Sequence, residues 1–133
     1  MSYLVAYIIS LVLFAALDIA WLTTMGARLY KQTLGDILLP TVYLAPAAAF
    51  YLIYPAGLVY FGIVPALKSG FVSTAALNGA LFGFFAYSTY ELTNYATLRN
   101  WTFQITLIDI IYGAVASGAV AAAVTALLAH WRS

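Results

Sequence analysis

The sequence predicts an all-helical membrane protein, a four-helix transmembrane bundle whose second helix is kinked by proline. Three observations carry this. Hydrophobic residues make up 65% of the 133 residues, against roughly 45–50% in ordinary soluble domains. Charged residues are only 7%, against about 25%, too few to clothe a water-soluble globule. Four apolar stretches, at about 3–24, 38–64, 71–94 and 102–129, each reach the ~20 helical residues that cross a hydrocarbon core. In lipid every backbone polar group needs an internal partner, so stretches of this length are helices, and the alternation of barrel strands is missing. The breaks at 26–37, 65–70 and 95–101 are too short to hold another domain, so the chain reads as one transmembrane domain. A net charge of +1 gives no basic stripe for nucleic acid. With no cysteine, disulfides, thiol nucleophiles and thiolate metal sites are excluded.

The first span lacks a basic leader, runs past signal-peptide length and contains Asp18, so it is expected to be retained. All four prolines fall in or beside the second span. Pro40 suits a first helical turn and Pro65 a stop. Pro46 and Pro55 are expected to free a carbonyl each and bend the helix, more as a fixed kink than as a hinge. In the third span Ala75, Gly79 and Gly83 make a stripe of small residues; in the fourth, Ala114, Gly118, Ala122 and Ala126 make another. Such stripes let helices approach closely, within the chain or across a homo-oligomer.

Four spans put the breaks 26–37 and 95–101 on the side opposite the amino terminus. That side holds Arg28, Lys31 and Arg99, against Lys68 and Arg132 on the other, a bias too small to set orientation. The acids are more telling. Asp18, Glu91 and Asp109 lie inside spans, all toward the side opposite the amino terminus. An ionised side chain at mid-membrane costs about 2.5–3.5 kcal/mol on insertion scales, and no Lys, Arg or His lies within the spans to offset it. These three are the candidate catalytic residues. Trp21 follows Asp18 by one turn, Tyr87, Glu91 and Asn94 share a face, and Thr102, Thr106 and Asp109 share another. Trp21, Tyr87, Asn94 and Thr106 are therefore expected to line a polar pocket in one leaflet, with Arg28, Lys31 and Arg99 at its mouth to hold a lipid phosphate. The plainer alternatives are helix-to-helix hydrogen bonding for Asn94 and Thr106, a solvated helix end for Glu91 and ordinary flanking charge for the basic residues. His130 reads as interfacial. Phosphate loops, HExxH and nucleophile elbows are missing. No metal is assigned and no cofactor is implied.

Leu17-Asp18-Ile19-Ala20-Trp21-Leu22, Pro46-Ala47 leading to Phe50-Tyr51, Tyr54-Pro55-Ala56-Gly57, Asn78-Gly79-Ala80-Leu81-Phe82-Gly83, Ala86-Tyr87-Ser88-Thr89-Tyr90-Glu91-Leu92-Thr93-Asn94, and Trp101 ahead of Asp109 together resemble one family. It is the domain-of-unknown-function family numbered 2177, small bacterial membrane proteins. Glu91 stands where that pattern usually has Asp, which keeps the charge and lengthens the arm. The resemblance covers nearly the whole chain and implies a multi-pass, four-span protein of the bacterial inner membrane. It suggests a link to membrane-lipid metabolism and supplies no catalytic assignment.

Three functions stay open. The first is binding or modifying a membrane lipid or fatty acyl chain, with Asp18 and Asp109 as acid and base and Asn94 orienting the substrate. The second is a proton-coupled small-molecule transporter of multidrug-exporter size. The third is a non-catalytic helper subunit. Whether the chain is an enzyme is undecided at this stage.

Overall fold

A computed structural model describes residues 2–35, 37–38 and 43–132, with backbone alone for residues 2, 27, 28, 32 and 132. Every element in it is helical: α1 (Ser2–Met25), a π-helical turn (Gly26–Tyr30), α2 (Lys31–Leu34), α3 (Leu44–Leu58), a second π-helical turn (Val59–Ile63), α4 (Val64–Ser69), α5 (Val72–Thr97) and α6 (Phe103–Arg132). α3, the second π turn and α4 run on as one rod, so the chain forms four long rods. The first rod packs on the second and fourth, and the third rod packs on the second and, most extensively, on the fourth.

Three rods, Tyr3–Met25, Leu44–Ser69 and Phe103–Trp131, are long and apolar enough to cross a membrane. The third, α5, is long enough but too polar to join them on composition, because Ser88, Thr89, Glu91, Thr93 and Asn94 crowd its last turns. The exterior is apolar, unlike that of a soluble protein, and some polar residues are buried. Leu4, Ile53 and Val115 are 63%, 69% and 65% exposed, while Ser10, Glu91 and Ser117 are buried. An apolar exterior of this extent marks a surface that faces lipid or partners.

The rod boundaries depart from expectation at three places. The first break stays helical through Leu34. Residues 26–34 contain no proline, and Leu29 and Leu34 bury themselves against Ile105 with Tyr30 and Trp101 packed beside them. Pro65 does not stop its helix. It sits in the first turn of α4, which ends instead at Gly70, whose positive φ of 83° and N–H bond to the Ala66 carbonyl close the last turn. Pro46 does not bend a helix interior, since it lies in the first turn of α3, where its missing N–H has no partner to lose. Pro40 lies outside the described residues.

Pro55 is inside α3, and four residues later the helix widens into the second π turn. Pro65 deprives the Phe61 carbonyl of its helical donor. The Asn78 amide of α5 supplies one, donating to the Phe61 carbonyl at 3.2 Å. Nearby, the small face of α5 meets α6 almost backbone to backbone. A side chain at Gly79 would fall 2.8 Å from the Ser117 carbonyl, and one at Gly83 would strike the Gly113 carbonyl. The stripe expected on α5 is thus an internal contact. On α6 the contact runs along Gly113, Ser117, Gly118 and Ala121. Of the stripe expected there, Gly118 is buried, Ala114 and Ala122 are half-buried and Ala126 is exposed.

Candidate functional site

The rods bring three carboxyls to one end of the molecule. Asp18 sits seven residues before the end of α1, Glu91 six before the end of α5, and Asp109 six after the start of α6. Each is thus about 9–11 Å from that end of its helix. Glu91 lies deeper than the sequence suggests, because α5 continues to Thr97. All three are buried, at 7%, 1% and 8% exposure.

Their partners are aromatic. Asp18 accepts hydrogen bonds on both oxygens, from the Tyr51 hydroxyl of α3 and from the Tyr112 hydroxyl of α6 at 3.0 Å. Asp109 accepts one from the Tyr30 hydroxyl, and Tyr30 in turn accepts one from the Trp21 indole at 3.1 Å. The same Trp21 ring stacks on Tyr112, with centroids 4.3 Å apart, joining the surroundings of Asp18 and Asp109. Glu91 accepts on Oε1 from the Trp101 indole at 3.1 Å. Its Oε2 is buried with no donor, and its carboxyl lies within hydrogen-bonding range of Asp109.

Among the described residues, these carboxyls are therefore held by phenols, indoles and one another. Phenol and indole donors satisfy oxygen lone pairs without cancelling charge. Tyr30, just beyond α1, is pushed well above the ordinary tyrosine range by burial and by the Asp109 carboxylate it touches. It therefore stays protonated and remains a donor at neutral pH. The three carboxyls do not converge on one point: no trio of Asp, Glu, His or Cys side chains is placed to hold a metal ion among the described residues.

The residues expected around the acids are placed as follows. Trp21 belongs to the network directly. Tyr87 lies edge-on to Tyr54 and Tyr112, at 6.1 Å from each, and packs over Gly113. Asn94 is half-buried, one helical turn beyond Tyr90 on α5. Thr106 is buried but donates to the Thr102 carbonyl of its own helix at 2.9 Å, so its hydroxyl is spent locally. Lys31 and Arg99 are exposed at the same end, and the Arg28 side chain lies outside the described residues.

Tyr30, Tyr51, Tyr112 and Trp101 complete the site, and sequence reasoning did not assign them to it. Tyr112 has a signal in its spacing of three residues from Asp109, one helical turn. Two surface depressions lie among other residues. One is a shallow groove along Phe61, Asn78, Leu81, Phe82, Phe85 and Thr89. The other lies at the opposite end of the rods, beside Gly70 and Thr125.

No curated protein matches the chain, and no solved structure does. A family of predicted membrane proteins, DUF2177, matches residues 3–127. That match takes in Asp18, Glu91, Asp109 and each aromatic donor that holds them, and the chain belongs to this family.

Proposed function

We propose that the chain is a multi-pass protein of a bacterial inner membrane in which α5 also spans, making a four-helix transmembrane bundle with its second rod modulated by Pro55 and Pro65. We further propose that its acidic end binds a membrane lipid and acts on the headgroup or acyl chain. The observation that supports this reading is the set of three carboxyls, buried near one end, with aromatic donors and no cation as their partners among the described residues. Intramembrane acids are costly and mark functional sites by default. Glu91 and Asp109, as neighbours, are the acid and base of this reading, with Asp18 setting the position of Tyr112 and Trp21 beside them.

The surroundings suit a lipid. Lys31 and Arg99 stand exposed at the end where a headgroup phosphate lies. The groove from Asn78 to Thr89 extends along α5 for about 16 Å at the helical rise, a length that accepts an acyl chain from the bilayer.

The test is mass spectrometry of lipid retained by the purified protein, together with the lipid profile of cells carrying each variant. Asp109→Ala and Glu91→Gln are expected to change the retained lipid and the profile while the protein stays folded. An unchanged profile in a deletion strain, with no lipid retained by the wild type, overturns the proposal and leaves the helper-subunit reading.

A further inference from the structure

We propose that Glu91 and Asp109 share a single proton, carried on Glu91 Oε2 and donated to the Asp109 carboxylate, so that the pair is a proton-binding site. The inference requires the acidic end to lie in the membrane, as above, but not that its ligand be a lipid.

The orphaned oxygen points to it. Glu91 is 1% exposed and Oε1 has its donor in Trp101. Oε2 has none, yet the Asp109 carboxyl is within hydrogen-bonding range. Asp109 is itself supplied by Tyr30. With both groups ionised, two like charges would face each other in an apolar interior, which close carboxylate pairs avoid by keeping one proton between them. One proton on Oε2 resolves both problems. It removes one charge, and it converts an acceptor without a donor into a donor that Asp109 accepts. Trp101 then binds the carbonyl-like oxygen of the acid, and Tyr30 binds the remaining carboxylate.

Nothing positive among the described neighbours competes for the place. The titratable groups that face the pair are Tyr30 from the first π turn and Tyr87 and Tyr90 from α5 itself. Asp18 is held by Tyr51 and Tyr112 and shares Tyr87 as a neighbour with Asp109.

Infrared spectroscopy of the full chain in lipid tests this, because a protonated carboxyl shows a carbonyl stretch that a carboxylate lacks and that shifts in D2O. Wild type at neutral pH is expected to show the band, and Asp18→Asn to retain it. Glu91→Gln and Asp109→Asn, which each put an amide N–H where the proton lies, are expected to lose it with their helical circular dichroism intact. Wild type without the band at neutral pH overturns the proposal even where a variant fails to fold, and so does a band that survives both substitutions. Retained lipid measured on the same samples separates the outcomes. A band without lipid sinks the lipid reading alone, and lipid without a band sinks the shared proton alone.

Discussion

Asp18 owes its place in the interior to two phenols, one from α3 and one from α6. Removing both with Tyr51→Phe and Tyr112→Phe leaves a buried carboxylate without donors, at a cost of about 1–3 kcal/mol for each unsatisfied group. The double variant is expected to unfold well below wild type in a thermal melt in detergent. Adding Asp18→Asn should recover part of the loss by removing the charge. A melt unchanged by the double substitution would show that the two hydrogen bonds contribute nothing. The acids themselves are legible in the sequence, because a carboxylate in an apolar run stands out and its distance from the run's end gives its depth. Their donors are not. Tyr112 is one turn from Asp109 on its own helix yet serves Asp18 on another, and Tyr51 is 33 residues from the acid it holds. Helical spacing gives the face of one rod but says nothing about which face of a neighbour lies against it. Asp18 and Asp109 were the expected acid and base; the structure sets Glu91 beside Asp109 and gives both Asp18 oxygens to tyrosine.

Within the second rod, proline and asparagine act as a pair across two helices. Pro65 withdraws a donor from the Phe61 carbonyl and Asn78 replaces it. Asn78→Leu is therefore expected to cost about 0.5–1.5 kcal/mol, the net worth of one hydrogen bond. In a Pro65→Ala background, where the backbone N–H returns, the same change should cost measurably less. Equal costs in the two backgrounds, from denaturation in mixed micelles, would show that Asn78 does not compensate Pro65. The sequence shows that the second rod is rich in proline but not what each proline does. Pro46 falls harmlessly in a first turn, and Pro65 falls where a π turn and a neighbouring amide absorb it. The small-residue stripe of α5 reads correctly from spacing. Of the stripe on α6 only Gly118 is in the contact, beside Gly113, Ser117 and Ala121, because several registers of a run rich in Gly, Ala and Ser offer small residues and only packing selects among them.

At the scale of the whole molecule, apolar side chains cover the outside as well as forming the core, and Ser10, Asp18, Glu91, Asp109 and Ser117 are buried among them. Membrane residence was legible from composition alone, since nine charged residues cannot solvate a surface of 8062 Å². The standing of α5 was not, because its length argues for a span while its polar last turns argue against one. A labelling experiment decides it, and the chain's lack of cysteine makes every introduced thiol unique. Lys31→Cys and Arg99→Cys are expected to react with a membrane-impermeant maleimide from one side of the bilayer, and Lys68→Cys from the other. Should Arg99→Cys and Lys68→Cys react from the same side, α5 does not cross.

The close seat of Gly79 and Gly83 on α6 also bears on how the protein is made. Ribosomes release α5 first, and its polar last turns, Glu91 among them, partition poorly into lipid when alone. Its apposed surface, and the Asp109 carboxyl that Glu91 faces, arrive only with the following segment. If α5 spans as proposed, residues 72–132 are expected to enter the bilayer as a hairpin, and a nascent chain halted before α6 is expected to leave α5 uninserted.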